Sequence, residues 1–415
     1  MIIIHTMNDS TMYRPRYLSA PISKALKSSP VVVVTGARQT GKSTLVQHLG
    51  EKRPRSYESL DDLDTLELAG SNPEALVNRE GQFSFDEVQR SPALLLAVKR
   101  AVDKRRVAGR FILTGSANLL LMKRISETLA GRAVYFSLLP LSRREVVGRG
   151  SVGTWRDLFN LPHTKWRDFL LAQKAPHDTW QECALRGGYP VPSLQLSTHQ
   201  ERTLWFTGYA QTYLERDLHE LGGVSSLVDF RRLMRAICLR LGNIVNQTEL
   251  ARDIGLSQPT VHRHLDLLEV SHQLIRLPAY SVNRTKRLIK APKAYWTDTA
   301  LALHLAGENQ PRGCHFENMI LSDLLAWQGA GDGPELFYWR TTTGEEVDFV
   351  VEWNGKLLAL EVKATTSPRL SDASHLLTFR EQYGTSSLPS LLVHTGTEVR
   401  WLVDGVLAVP WWKLI

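Results

Sequence analysis

Two short stretches of this 415-residue sequence carry the residue types that handle phosphate. Gly36-Ala37-Arg38-Gln39-Thr40-Gly41-Lys42-Ser43-Thr44 follows directly on Val31 to Thr35. It meets the P-loop pattern G-x-x-x-x-G-K-[ST] through Gly36, Gly41, Lys42 and Ser43. Glycines in such a loop let backbone N–H groups turn inward around a β-phosphate, and a helix N-terminus adds its positive end. Lys42 is expected to reach the β- and γ-phosphates of ATP, and the Ser43 hydroxyl to ligate Mg²⁺. Further on, Gln82-Phe83-Ser84-Phe85-Asp86-Glu87-Val88-Gln89 ends a short apolar run in two acids. Asp86 can hold Mg²⁺ through water, and Glu87 can polarise an attacking water. A glutamate after the aspartate points to hydrolysis, not to phosphate transfer onto a small acceptor.

A third set lies near the end of the chain. Glu317 falls early in a helical stretch, and Asp348 in the strand-like run Val347 to Val351. Glu361 and Lys363 close the run Leu357-Leu358-Ala359-Leu360-Glu361-Val362-Lys363. With a strand period of two, Glu361 and Lys363 share one face while Leu360 and Val362 take the other. Asp348 and Glu361 could bind a hard divalent cation, Mg²⁺ or Mn²⁺, with Glu317 completing the metal set from the helix side. Lys363 would position or activate water. The spacing resembles the PD-(D/E)xK nuclease superfamily, which includes archaeal junction resolvases. It departs from the family name at Glu346-Val347-Asp348, which stands at the Pro-Asp position, although that proline is often absent.

These groups need elements to carry them. The β-branched run Val31 to Thr35 suits a strand buried on both faces of a parallel sheet. Ser43 to Leu49 has helical periodicity and ends at Gly50. A third strand is expected in Arg110-Phe111-Ile112-Leu113-Thr114-Gly115-Ser116-Ala117-Asn118, passing into small polar residues. Leu129-Ala130-Gly131-Arg132 and Val134-Tyr135-Phe136 then lead into the turn Leu138 to Leu141.

Taken in order, GARQTGKST, FDEVQRSP, LTGS and LAGR resemble one large prokaryotic group: AAA-type ATPases of the AAA+ superfamily fused to a C-terminal domain of unassigned function. Gly187-Gly188-Tyr189-Pro190 and Tyr213-Leu214-Glu215-Arg216-Asp217 fit the same group, so the resemblance runs over nearly the whole chain. It implies that Ser116 or Asn118 senses the γ-phosphate, ahead of Thr114, which falls within the strand. It also makes Arg132 a candidate arginine finger, in cis or from a neighbouring copy in a homo-oligomer.

Between the two sites, Thr248 could cap a first helix that Gly255 breaks, and Ser257 a second helix with Pro259 in its first turn. Leu250, Ile254, Val261 and Leu265 supply the apolar contacts of a helix-turn-helix. The alternation after Leu274 could form a wing charged by Arg284, Lys286, Arg287 and Lys290. Gln258, Thr260, His262 and Arg263 would face DNA; the same module can instead pack against a protein partner.

A net charge of +8 and a pI near 9.4 favour an acidic partner, nucleic acid being the commonest, although a merely soluble surface gives the same numbers. Cys183, Cys238 and Cys314 lie far apart with no CxxC, which suits a reducing cytoplasm. No stretch approaches the ~18 apolar residues of a membrane helix, and MIIIHTMNDSTMYRP reads as neither secretory signal nor anchor. The expected fold is α/β in four parts. Residues 1–145 form a P-loop AAA-type parallel-sheet ATPase domain and 146–225 a tryptophan-studded helical lid or linker. Residues 226–310 form a winged helix-turn-helix domain, and 311–415 an α/β nuclease-like PD-(D/E)xK domain. The leading function is a cytoplasmic, Mg²⁺-dependent ATPase acting on nucleic acid, with ATP-controlled DNA cleavage at the C-terminal site. The alternative is a nucleotide-switched DNA-binding or regulatory module with an inactive nuclease fold.

Overall fold

Strands β1 (Val31–Thr35), β2 (Ser56–Ser59), β3 (Phe83–Asp86), β4 (Phe111–Thr114) and β5 (Ala133–Ser137) pair in the order β2-β3-β4-β1-β5, every pair parallel. The central strands β1, β3 and β4 are buried along their whole length, as strands covered on both faces must be. The computed structural model describes residues 13–51, 54–115, 129–174, 178–215 and 226–415. It divides into two compact units, and this sheet belongs to the unit formed by Met1–Ser151 and Tyr189–Leu196.

Helix α1 (Lys42–Glu51) starts at the lysine of the glycine-rich loop. The helix Pro92–Lys104 is capped by Ser91 and has proline in its first turn, and it lays Leu94, Leu95, Val98 and Val102 against Phe83, Phe85 and Phe111. Because β1 and β3 each run parallel to β4 between them, the glycine loop after β1 and Asp86 at the end of β3 leave the same edge of the sheet.

The second unit comprises Val152–Gly188 and Ser197–Ile415. Helices α2 (Gln247–Ile254) and α3 (Gln258–Val270) are joined by a short turn in which Gly255 adopts the left-handed φ of 69°. Leu250, Val261 and Leu265 are buried, as their spacing requires. Ser257 caps α3, but the cap of α2 is Asn246, whose side chain accepts from the Thr248 and Glu249 N–H groups. Thr248 therefore sits inside the helix, which starts two residues earlier than its sequence context suggests. Strands β6 (Leu274–Leu277) and β7 (Lys293–Trp296) form an antiparallel pair. Between them lies the short helix Arg284–Ile289. Arg287 is not a free surface charge there: it is buried, 2.7 Å from Glu352, and its guanidinium lies over the rings of Tyr280 and Phe337.

Helix α4 (Thr299–Ala306) is capped by Asp298, which also accepts from the Gly188 N–H at 2.6 Å. A Cβ on Gly187 would stand 2.6 Å from the same carboxylate, and Gly187 has φ +68°, so both reasons require glycine there. Helix α5 (Gly313–Gln328) covers one face of a six-stranded mixed sheet. Its strands are β8 (Glu335–Arg340), β9 (Glu346–Trp353), β10 (Lys356–Lys363), β11 (Ser390–His394), β12 (Arg400–Val403) and β13 (Val406–Pro410), in the order β12-β13-β11-β10-β9-β8. β8, β9 and β10 form an antiparallel meander, and β10, β11 and β13 run parallel. The helix Ser374–Tyr383 covers the opposite face.

Trp155, Trp166 and Trp180 are buried in the core between α5 and this sheet. The Trp155 indole N–H and the Gly153 N–H both donate to Asp323 on α5, each at 2.7 Å. The stretch whose tryptophans suggested a lid thus supplies core to the C-terminal sheet. Among the described residues no helix is long and apolar enough to cross a membrane.

Candidate functional site

The glycine loop is shaped by contacts that only glycine permits. Gly36 has φ +144°, and a Cβ there would lie 2.3 Å from the Leu138 carbonyl oxygen. Gly41 has φ +90°, and Gln39 also enters the left-handed region at φ 60°. Lys42 is buried, and its ammonium donates to the carbonyls of Ala37 at 2.8 Å and Gly36 at 3.2 Å, so it is held within the loop. Thr40 closes the turn through its hydroxyl on the Ala37 carbonyl.

At the end of β3, Asp86 is a hub. It accepts from the Glu87 N–H, from the Thr114 hydroxyl on β4, and from the Tyr57 hydroxyl on β2 at 2.6 Å. Ser43, the second residue of α1, also lies near the Tyr57 hydroxyl, on the same side of the sheet as Asp86. Burial first, and then the Asp86 carboxylate, push the Tyr57 phenol well above its ordinary value. The chemistry of this donor set, a hydroxyl and a carboxylate converging beside a lysine, fits Mg²⁺ carried by a nucleotide. Glu87 adopts φ 54° and ψ 41°, a conformation that costs a non-glycine residue roughly 1–2 kcal/mol. Strain of this kind gathers at functional sites. Burial raises its carboxyl above the usual range, against the pull of Lys42.

Two residues that brace the loop were not picked out in the sequence. Arg16 is buried, and its guanidinium meets Glu145 at 2.9 Å, the Thr40 carbonyl at 2.7 Å and the Leu139 carbonyl at 2.6 Å. Glu145 also accepts from the Tyr17 and Ser142 N–H groups. Ser142-x-x-Glu145 is legible as a capping box, but nothing local announces its partner 129 positions away.

Arg132 precedes β5, whose first residue pairs with Val31 at the start of β1. It therefore lies one strand length, roughly 16 Å, from the edge carrying the glycine loop, and its guanidinium pairs with Asp103. Ser116 and Asn118, like Arg216 and Asp217, lie outside the described residues.

In the second unit Glu317 on α5, Asp348 on β9 and Glu361 on β10 are brought together. Asp348 accepts from the Val362 N–H at 2.9 Å, and its charge acts on both Glu317 and Glu361. Burial first and then Asp348 push Glu317 up to about 7 and Glu361 up to about 8. Lys363 is half exposed and pairs with Glu361 at 2.6 Å. The cation that Glu317 and Asp348 meet, together with Glu346, is a lysine from β7. The Lys293 ammonium lies 2.6 Å from Glu346, 3.3 Å from Asp348 and 3.5 Å from Glu317. Burial alone would lower Lys293, but the three carboxylates outweigh it and raise it. Among the described residues no three His, Cys, Asp or Glu side chains are grouped as ligands of one metal ion. Of the expected set, Glu317 and Asp348 are met by Lys293, whereas Glu361 pairs with Lys363 through one oxygen and keeps the other buried without a hydrogen-bond partner among the described residues.

A parallel sheet with the glycine loop and Asp86 on one edge defines an ATPase-like P-loop domain, and an AAA domain matches residues 28–147. Residues 177–312 match a domain of unknown function (DUF8612), and 312–414 another (DUF4143). The uncharacterized protein Rv2008c of Mycobacterium tuberculosis is 30% identical over 404 residues, covering 95% of this chain and 83% of that protein. An uncharacterized protein of Haemophilus influenzae is 19% identical over 433 residues, covering 97% of this chain and 100% of its own. The chain belongs to the family of the mycobacterial protein, with an AAA domain followed by the DUF4143 domain. Among solved structures, the Walker-type ATPase PABY2304 of Pyrococcus abyssi is 17% identical, with 70% of this chain and 98% of that chain covered and a TM-score of 0.43.

Removing one partner of the Arg16–Glu145 pair should cost about 3–5 kcal/mol, because it leaves the other charge buried alone. Thermal denaturation should show a large fall in melting temperature for Arg16→Ala and for Glu145→Ala, and a smaller one for Arg16→Met/Glu145→Leu. Single variants as stable as the wild type would contradict the brace.

Proposed function

We propose that this protein is a Mg²⁺-dependent ATPase that acts on nucleic acid. The observation that carries the reading is the convergence of Lys42, Ser43 and Asp86 at one sheet edge, with Glu87 beside them. The N–H groups of the loop from Gly36 through Ala37, Arg38, Gln39, Thr40 and Gly41 to Thr44 would surround the phosphates. Lys42 would leave the Ala37 and Gly36 carbonyls to draw charge from the γ-phosphate. Ser43 and Asp86 would hold Mg²⁺, which when bound supplies charge neutralisation to the β- and γ-oxygens. Glu87, its carboxyl raised by burial, would take a proton from the attacking water and yield ADP and phosphate. Ser116 would sense the γ-phosphate. Arg132 could act only in trans, since in its own copy it stands at the far edge of the sheet.

The nucleic-acid part of the reading rests on α2 and α3, taken as a helix-turn-helix with β6 and β7 as its wing. Gln258, His262 and Arg263 are exposed along α3, Thr260 is half-buried against Ser257, and the chain carries an excess of eight positive charges. The same face could seat a protein partner. The C-terminal sheet with α5 is read as a PD-(D/E)xK nuclease-like fold. Of the two uses of that fold, ATP-controlled cleavage by Asp348, Glu361 and Lys363 or a regulatory module without cleavage, the Lys293 ammonium among the acids favours the second.

Phosphate release by the full-length protein tests the hydrolytic site. Lys42→Ala should lose nucleotide binding, whereas Glu87→Gln should keep it and hydrolyse about 10²–10⁴-fold more slowly. Unchanged hydrolysis in Glu87→Gln would exclude Glu87 as the base. A labelled DNA duplex followed by fluorescence anisotropy tests the second part. Binding should weaken steeply with salt, and Arg263→Ala should lower the slope by about one unit; no binding at low salt would remove nucleic acid from the reading.

A further inference from the structure

Lys293 opens β7, and its side chain is only 2% exposed. Tyr295, two residues on and on the same face of the strand, donates its hydroxyl to Glu317. One strand thus sends a cation and a hydrogen-bond donor into one carboxylate cluster. Both oxygens of Asp348 are engaged, one by Lys293 and the other by the Val362 N–H. The Glu317 oxygen nearest Lys293 also accepts from Tyr295. Glu346, at the position where the nuclease pattern has proline nearby, makes the shortest of the three ion pairs.

An ammonium brings one charge and three donors, whereas Mg²⁺ or Mn²⁺ brings two charges and requires several oxygens at close range. Glu317 and Asp348, the acids common to both arrangements, can satisfy one of these cations at a time. We propose that Lys293 is the resident cation of this centre: its ammonium holds Glu317 and Asp348, two of the three acids a divalent metal would draw on, so the protein binds no metal there, and β7 is clamped to α5 and β9. The proposal rests on the nuclease-like reading of the C-terminal fold, because only that reading makes a metal the expected occupant. It makes the cluster a structural lock and explains how Glu317 and Asp348, both largely buried, stand side by side. Lys363, half exposed and paired with Glu361, is left outside the lock.

The test titrates the nucleotide-free, full-length protein with Mn²⁺ alone, followed by calorimetry and melting temperature. Wild type and Asp348→Asn should give the same isotherm. Lys293→Ala should gain a Mn²⁺ site at least ten-fold tighter than any in the wild type, absent from Lys293→Ala/Asp348→Asn. Its melting temperature should fall, and Mn²⁺ should restore part of the loss in the single variant alone. Lys293→Met, which keeps the bulk, replaces Lys293→Ala if the smaller side chain prevents folding. If neither variant folds, the wild type and Asp348→Asn decide the matter by themselves. Wild-type protein that binds Mn²⁺ through Asp348 would overturn the lock and leave the nuclease-like reading standing. A folded Lys293 variant that gains no Mn²⁺ site would overturn both.

Discussion

Charge buried in a protein interior must be met by opposite charge within hydrogen-bonding reach, and this constraint organises both units. In the first, Arg16 joins Glu145 to the carbonyls of Thr40 and Leu139, so that the back of the glycine loop is tied to the turn after β5. A planar guanidinium with five donors can serve three acceptors at once; a lysine would serve them less specifically. In the second unit, Lys293 does the corresponding work for Glu317, Glu346 and Asp348. Neither charge can be removed singly without stranding its partners.

Sheet order turns that bracing into a site. With β4 inserted between β1 and β3, Thr114 at the end of β4 reaches Asp86 from one side, and Tyr57 on β2 reaches it from the other. Asp86 is thereby fixed before any ligand arrives, which is what preorganised electrostatic catalysis requires. Glu87 is turned out of the strand by its positive φ, a local cost that the surrounding sheet can sustain.

Much of the nucleotide site was legible because its logic is local. A strand, a glycine loop and a helix follow one another in sequence, and Asp86-Glu87 ends an apolar run. The braces were not legible, because Arg16 and Glu145 are separated by most of a domain and each alone looks like an ordinary surface charge. Lys293 was missed for the same reason: a lysine opening a strand is usually solvated. Trp155, Trp166 and Trp180 misled through their polar neighbours, since spacing shows that a stretch is helical but not which core receives it. Arg287 carried the right charge for a wing but spends it on Glu352. The acids of the C-terminal site were found at their stated positions in the chain, yet the cation between them came from a different element.

On the proposed reading, in which a P-loop ATPase domain is joined to a nucleic-acid-binding segment, the nucleotide has a purpose only if the two ligands influence each other, and such coupling is reciprocal. The direct measurement is the affinity of the full-length protein for one labelled duplex with Mg²⁺ and ADP, and again with Mg²⁺ and a non-hydrolysable ATP analogue. Nucleotide control predicts affinities that differ by about 5-fold or more. Equal affinities at saturating nucleotide would contradict it.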